Sequence, residues 1–277
     1  MQLSLPRTGL ENYKSNAQRA RIATEAWGTE NLYCLNCDSD ELSISPPNTA
    51  AIDYICPDCA ASFQLKAQSH SFGGKIVDAA YATMLQKIRT DKTPNLIALH
   101  YELADWKVQN AFLVPHFAFS ISAIEKRPPL AATARRAGWI GCNILLTEIP
   151  PDARIPLIVN GSPANPNSAR KQYARVRPLQ KLRPEMRGWT LDVLNLLRSL
   201  ASRRAACSPV LSEAEGSLDT RHSSLHFTLA DAYSLESHLA SLHPSNRHVR
   251  PKIRQQLQIL RDLGLLTFLG HGNYRFK

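Results

Sequence analysis

Cys34-Leu35-Asn36-Cys37, then eighteen residues, then Cys56-Pro57-Asp58-Cys59-Ala60-Ala61-Ser62-Phe63-Gln64-Leu65-Lys66, is the stretch whose reading decides the fold. Two Cys-x2-Cys pairs at this separation have the spacing of a structural zinc site. Each tight turn presents two thiolates about 2.3 Å from one metal, and two turns close a tetrahedron with no open position for water. A structural Zn2+ held by Cys34, Cys37, Cys56 and Cys59 is therefore expected to fold the segment and not to catalyse. Cys142 and Cys207 stand alone. The segment Met1 to Arg7 lacks the features of a secretory signal, so the chain is expected to be cytoplasmic, where paired thiols are metal ligands before they are disulfides. Between the pairs, Ser45-Pro46-Pro47-Asn48 reads as a turn.

Outward from the cysteines, the periodicity predicts a mixed α/β domain with flanking helices and an embedded zinc site. A helix fits Asn12 to Trp27, and Ala60 to Lys66 reads as a short strand. Val77, Tyr81, Met84, Leu85 and Ile88 recur at helical spacing, which predicts a second helix over 77–88. Asn95 to Tyr101 and Val108 to Val114 are apolar runs suited to central strands, with a polar turn over 102–107. Asn160-Gly161-Ser162-Pro163-Ala164-Asn165-Pro166-Asn167-Ser168 has the composition of a surface loop or linker. The domain boundary is expected between it and Arg187, giving domains 1–180 and 181–277. No apolar run approaches the eighteen or more residues of a membrane span, so no membrane partner is expected.

Asp53 and the run Gln64-Leu65-Lys66 have chemistry of their own. Residues two apart on a strand face the same side, so Gln64 and Lys66 point where Asp53 can join them. Asp, ten residues, then acid-x-Lys resembles the PD-(D/E)xK nuclease core, although the spacing alone also describes a polar strand edge. In that core two acids hold a divalent cation beside the scissile phosphate, and the lysine orients or helps deprotonate the attacking water. Here the second acid is replaced by Gln64, which offers a carbonyl oxygen without charge.

The charge is lopsided. Residues 1–169 carry 15 Lys and Arg against 15 Asp and Glu, while residues 170–277 carry 18 against 8. A polyanion-binding module at the basic end is the expectation. Its pattern agrees: a helix after Trp189 uses Leu191, Val193, Leu194, Leu197 and Leu200, and residues 202–224 break the periodicity as an inserted loop. A further helix buries Val249, Ile253, Leu257 and Leu260 and turns Lys252, Arg254, Gln255, Gln258 and Arg261 outward. Gly264 ends it, and Thr267 to Phe276 make a hairpin around Gly270-His271-Gly272-Asn273. Helix then hairpin predicts a mainly α winged-helix domain, with Arg suited to guanine and Gln to adenine.

Several stretches resemble the DpnI family of methyl-directed type II restriction endonucleases over nearly the whole chain. They are Tyr13-Lys14-Ser15-Asn16 through Ile22, both cysteine pairs with Asp53, Ala80-Tyr81-Ala82-Thr83-Met84, Arg127-Pro128-Pro129-Leu130, Ala132 through Ile144, and Lys252 through Asp262. The resemblance implies cleavage of double-stranded DNA at GATC carrying N6-methyladenine, by a monomer whose two domains both read the site. It places Asp53, Gln64 and Lys66 at the catalytic positions, the family having glutamate where Gln64 stands. Asp53, Gln64 and Leu65 would hold Mg2+ or Mn2+. Trp139 falls where the family uses a tryptophan near the adenine methyl groups; without the resemblance it reads as a core aromatic. Arg135 and Arg136 fit phosphate contacts or plain surface charge. Two rival readings are a catalytically silent reader of methylated DNA, silenced by Gln64, and a winged-helix regulator with a zinc ribbon, which leaves Asp53 and Lys66 idle.

Overall fold

The computed structural model describes residues 1–46, 49, 51–207 and 226–277. Its strands are β1 (Ser43–Ile44), β2 (Tyr54–Ile55), β3 (Ser62–Gln68), β4 (Lys75–Ala80), β5 (Asn95–Glu102), β6 (Lys107–Val114), β7 (Ile124–Lys126), β8 (Gly141–Leu145), β9 (Ile155–Val159), β10 (Ser162–Pro163), β11 (His226–Thr228), β12 (Leu266–Gly270) and β13 (Asn273–Phe276). The helices are α1 (Asn16–Asn31), α2 (Tyr81–Arg89), α3 (Pro166–Val176), α4 (Pro184–Cys207), α5 (Leu229–Tyr233), α6 (Glu236–Leu242) and α7 (Val249–Asp262).

Seven strands form the main sheet in the order β1-β2-β3-β5-β6-β9-β10, with β3 and β5 parallel and the other pairs antiparallel. A parallel pair needs a crossover, and β4 with α2 supplies it. Leu96 to Leu99 of β5 are buried on both faces, which is why that strand is a continuous apolar run. On one face Phe63, Ile97, Leu99 and Leu113 pack with Trp27 of α1 and Tyr173 of α3. On the other, Leu96, Ala98 and Val114 pack with Ile76 and Ile144 of a second sheet, β4-β8-β7, and with Met84 and Ile88 of α2.

The helix expected over 77–88 starts at Tyr81, and the residues before it are strand β4. Val77 points to solvent at 60% exposure while its neighbours Ile76 and Asp78 are buried, the alternation of a strand. The expected linker at 160–168 is also structured. It contributes β10, and Asn165 caps α3 through its side chain, which accepts from the N–H groups of Asn167 and Ser168, with Pro166 in the first turn.

Helix α4 runs to Cys207, taking six residues expected in the inserted loop; the rest of that expectation, 208–224, lies outside the described residues, as do Pro47 and Asn48 of the expected turn. The C-terminal part is β11, α5, α6, α7 and the hairpin β12-β13, with sheet order β11-β13-β12. At the hairpin tip His271 and Gly272 both have positive φ, the requirement of a tight two-residue turn. One buried cluster runs from Leu5 through the α4 residues Leu191, Leu194 and Leu197 to Phe276, so the two parts share a core along α4. No helix among the described residues is long and apolar enough to cross a membrane.

Candidate active site and nucleic-acid interface

The two cysteine turns meet. Cys34 Sγ lies 3.6 Å from Cys59 Sγ and Cys37 Sγ lies 3.5 Å from Cys56 Sγ, with all four within 4.8 Å of one another. A tetrahedron with 2.3 Å arms has edges of about 3.8 Å, so the donor set fits zinc and is too open for disulfides. Arg170 of α3 braces the first turn: Nε donates to the Cys34 carbonyl at 3.1 Å and Nη2 to the Ser39 carbonyl at 2.9 Å. Nη2 also reaches Asp40 Oδ1 at 2.8 Å.

Asp53, Gln64 and Lys66 share a face. Tyr54 opposes Phe63 across β2 and β3, and both point toward α1; Asp53 precedes Tyr54, so it lies on the opposite face with Gln64 and Lys66. Asp53 Oδ2 accepts from the Leu65 N–H at 2.7 Å. The Leu65 carbonyl points to the same side of the strand as its N–H, so it opens beside that carboxylate. Burial pushes the Asp53 carboxyl above its ordinary value; the Leu65 N–H opposes the shift, Glu25 adds to it, and Lys66 and Arg21 resist it. Asp53 thus meets the Leu65 peptide at the edge of β3, and of Asp53, Gln64 and Leu65 only Asp53 carries a charge. Among the described residues no group of three or more acid, His or Cys ligands forms around Asp53.

Asp78 was missed from sequence. Its carboxylate, 3% exposed, ion-pairs with Lys66 Nζ at 2.8 Å and lines, with Gln64, a mostly apolar cavity of about 260 Å³. Opposite it on β8 is Cys142, whose thiol burial and the nearby Asp78 charge push up to about 11. Reading 77–88 as one helix conceals Asp78, because strand alternation is what turns it inward.

Trp139 is half-buried in a loop whose Arg135 and Arg136 are exposed, not in the core. Backbone bonds close the loop: Leu130 N–H to the Trp139 carbonyl, Gly138 N–H to the Leu130 carbonyl, and Trp139 N–H to the Arg136 carbonyl. The Arg136 guanidinium lies 4.9 Å from the Trp139 ring centre. The loop is anchored beside Asp78, since Tyr81 N–H donates to the Ile140 carbonyl and Gly141 pairs with Ala80. Tyr81 carries Lys126 Nζ 5.9 Å from its ring, a second aromatic and cation pair that sequence reasoning missed.

On α7 the expected face forms. Arg254, Gln255, Gln258 and Arg261 are exposed, while Val249, Ile253, Leu257 and Leu260 are buried. Lys252 departs from the expectation: it is half-buried, donates to Gln255 Oε1 at 2.8 Å and lies near the Trp189 ring.

Residues 1–182 match the family model described as DpnI, Dam-replacing family, and residues 217–276 match the model described as its Dam-replacing HTH domain. The chain belongs to the DpnI family. The two matches reproduce the two-part DpnI architecture, a mixed α/β sheet with flanking helices followed by a helical HTH module. Membership supports a methyl-dependent, DNA-binding, restriction-type function, and the HTH match supports DNA as the partner. Within this DpnI frame α4 is the joint. Arg198 donates to Asp152 through Nε at 2.7 Å and lies 3.9 Å from the Phe276 ring, while Asp192 bonds Ser122 on one side and His243 on the other.

Proposed function

We propose that this protein is a methyl-directed endonuclease that cuts double-stranded DNA at GATC containing N6-methyladenine, acting as a monomer with Asp53, Gln64 and Lys66 at the catalytic centre. The observation that carries the reading is Asp53 bonded to the Leu65 N–H between Gln64 and Lys66, with Lys66 paired to a buried Asp78, in a DpnI-family chain. Asp53, Gln64 and the Leu65 carbonyl would hold Mg2+ or Mn2+, and the ion would supply charge to stabilise the phosphoryl transition state. Lys66, presented on the same strand, would orient the attacking water. Residues 1–180 carry this centre and the Trp139 loop, where Trp139 packs on the adenine methyl group and Arg135 and Arg136 contact phosphate. Residues 181–277 present Lys252, Arg254, Gln255, Gln258 and Arg261 to the duplex.

A second reading is favoured by one feature. Gln64 brings no charge, and no cluster of acids surrounds Asp53 among the described residues, so the chain can be a reader of methylated DNA that does not cut. Incubating methylated and unmethylated plasmid with wild type and with Gln64→Glu separates the two. Methyl-dependent cuts by Gln64→Glu support the endonuclease scaffold. Methyl-dependent binding with no cut by either form supports the reader, and binding indifferent to methylation overturns both.

A further inference from the structure

We propose that Gly141 is a specificity-determining residue: its missing side chain is the seat in which the Trp139 ring lies, so Gly141 sets where the ring meets the adenine methyl. This rests on the reading of Trp139 as the methyl-contacting residue.

A Cβ built on Gly141 would stand 2.8 Å from Cη2 and 2.8 Å from Cζ3 of Trp139, and 3.7 Å from Cδ of Arg127. Both ring distances are shorter than carbon atoms tolerate without a clash. Backbone conformation does not explain the glycine, because Gly141 is not among the positive-φ residues. Gly141 begins β8 and pairs with Ala80 next to a register shift between Asp78 and Ala80, and its φ is not in the left-handed region that calls for glycine. Space is what the position demands, and the space is filled by one side chain.

The other determinants of the ring's place are already fixed. Three backbone bonds hold the loop that carries Trp139, and Arg127 N–H donates to the Gly141 carbonyl, tying the seat to the strand end. Arg136 stands over the ring. The Trp139 backbone is thus anchored, and the ring is positioned by Gly141 at Cη2 and Cζ3 and by the Arg136 guanidinium over the ring. Adding a methyl group at Gly141 displaces the far edge of an indole in an exposed loop, which can swing without moving the sheet. A displaced ring no longer packs on the methyl group, and the Arg136 guanidinium stacked on it moves with it, a change that falls on methylated and unmethylated duplexes alike.

The test measures binding of a GATC duplex with and without N6-methyladenine at one fixed salt concentration. It compares wild type, Gly141→Ala, Trp139→Ala and the double variant, with a melting curve for each. One buried carbon corresponds to about fivefold in affinity. Gly141→Ala is expected to lower the methylated-to-unmethylated affinity ratio about fivefold and to add nothing to the change in that ratio made by Trp139→Ala. If Gly141→Ala melts early, the double variant should melt with Trp139→Ala, because the clashing ring is gone. A melting loss in the double variant beyond that of Trp139→Ala, or a wild-type ratio in Gly141→Ala while Trp139→Ala lowers it, overturns the seat and leaves the Trp139 reading standing. An unchanged ratio in Trp139→Ala overturns the Trp139 reading itself, and the seat with it.

Discussion

Gln64 has the same shape as the glutamate that the family resemblance implies at its position and one charge less, so the difference would fall on electrostatics and not on packing. The site around it is half-dry: burial raises Asp53, and Asp78 already neutralises Lys66 across 2.8 Å. A divalent cation there meets one uncompensated carboxylate. Restoring a second in a partly dry site strengthens cation binding by roughly 2–4 kcal/mol, so Gln64→Glu should raise magnesium-dependent cleavage at least tenfold. Metal-free DNA binding should hardly change, because Gln64 lies on β3 and not on the Trp139 loop or α7. Titrating the metal at fixed methylated DNA reads both quantities, and equal metal dependence in the two forms would count against the argument. The common face of Gln64 and Lys66 is legible in the sequence because alternation along β3 places them, whereas Asp53 reaches them only through the pairing of β2 with β3. Asp78 is not legible, because the partner that gives it meaning lies on another strand.

At the level of elements, local chemistry decides what can be read. Each Cys-x2-Cys is a single turn, and the site it makes is braced by Arg170 of α3. Removing zinc from the protein with a strong chelator should therefore loosen α3 as well as the cysteine turns, lowering the melting temperature. Cys34→Ser with Cys56→Ser should do the same without chelator, and a melt indifferent to both would exclude a structural metal. Strand β4 escapes a reading by periodicity because Val77, Tyr81, Met84 and Ile88 match helical spacing across a strand-helix junction. The true register shows only in which of Ile76 and Val77 is buried. The Asn165-Pro166 pair likewise has linker composition, though Asn at a cap and Pro at the first turn also begin a helix. A pH effect belongs to α5, where Thr228 and Asp231 form a capping box. The Arg204 guanidinium, first, and the Thr228 N–H hold the Asp231 carboxyl below its ordinary value against the opposing effect of burial. A depressed carboxyl stabilises the fold above its unfolded pKa of about 4 and loses that contribution as pH falls through the folded value. The stability gap between wild type and Asp231→Asn, measured by melting, should be full at neutral pH and close below about pH 4. A gap that persists at low pH would mean the cap does not depend on the charge.

Over the whole molecule, neither the charge nor the core stops at the boundary of the two modules: Arg170, Lys171, Arg175, Arg177 and Lys181 of the basic excess lie within the 1–182 match. The excess of 18 basic over 8 acidic residues lies in 170–277, and the apolar cluster runs from Leu5 to Phe276 through α4. Arg198 pairs with Asp152 and stands over Phe276, and Asp192 bridges Ser122 and His243. The two modules are therefore fastened by buried polar bonds as well as by packing, and the sequence could not show this because every bond joins residues far apart in the chain. That coupling makes whole-chain variants more informative than truncations, since removing either module would bare the apolar side of α4. The division of labour can be read through salt. Taking away one cation that neutralises a phosphate reduces the slope of log affinity against log salt by about 0.9. Arg254, exposed on α7 and 5.7 Å from the Tyr233 ring, is free of any carboxylate partner in the described residues, whereas Arg261 pairs with Asp262 at 2.9 Å. If Arg254 binds phosphate, Arg254→Gln should reduce the slope by about one unit and weaken methylated and unmethylated duplexes alike. If it pairs with guanine, the slope is kept and GATC loses its advantage over a GTAC duplex by roughly 1–3 kcal/mol. Both readings place α7 on the DNA, and unchanged affinity, slope and sequence preference together would remove it from the interface.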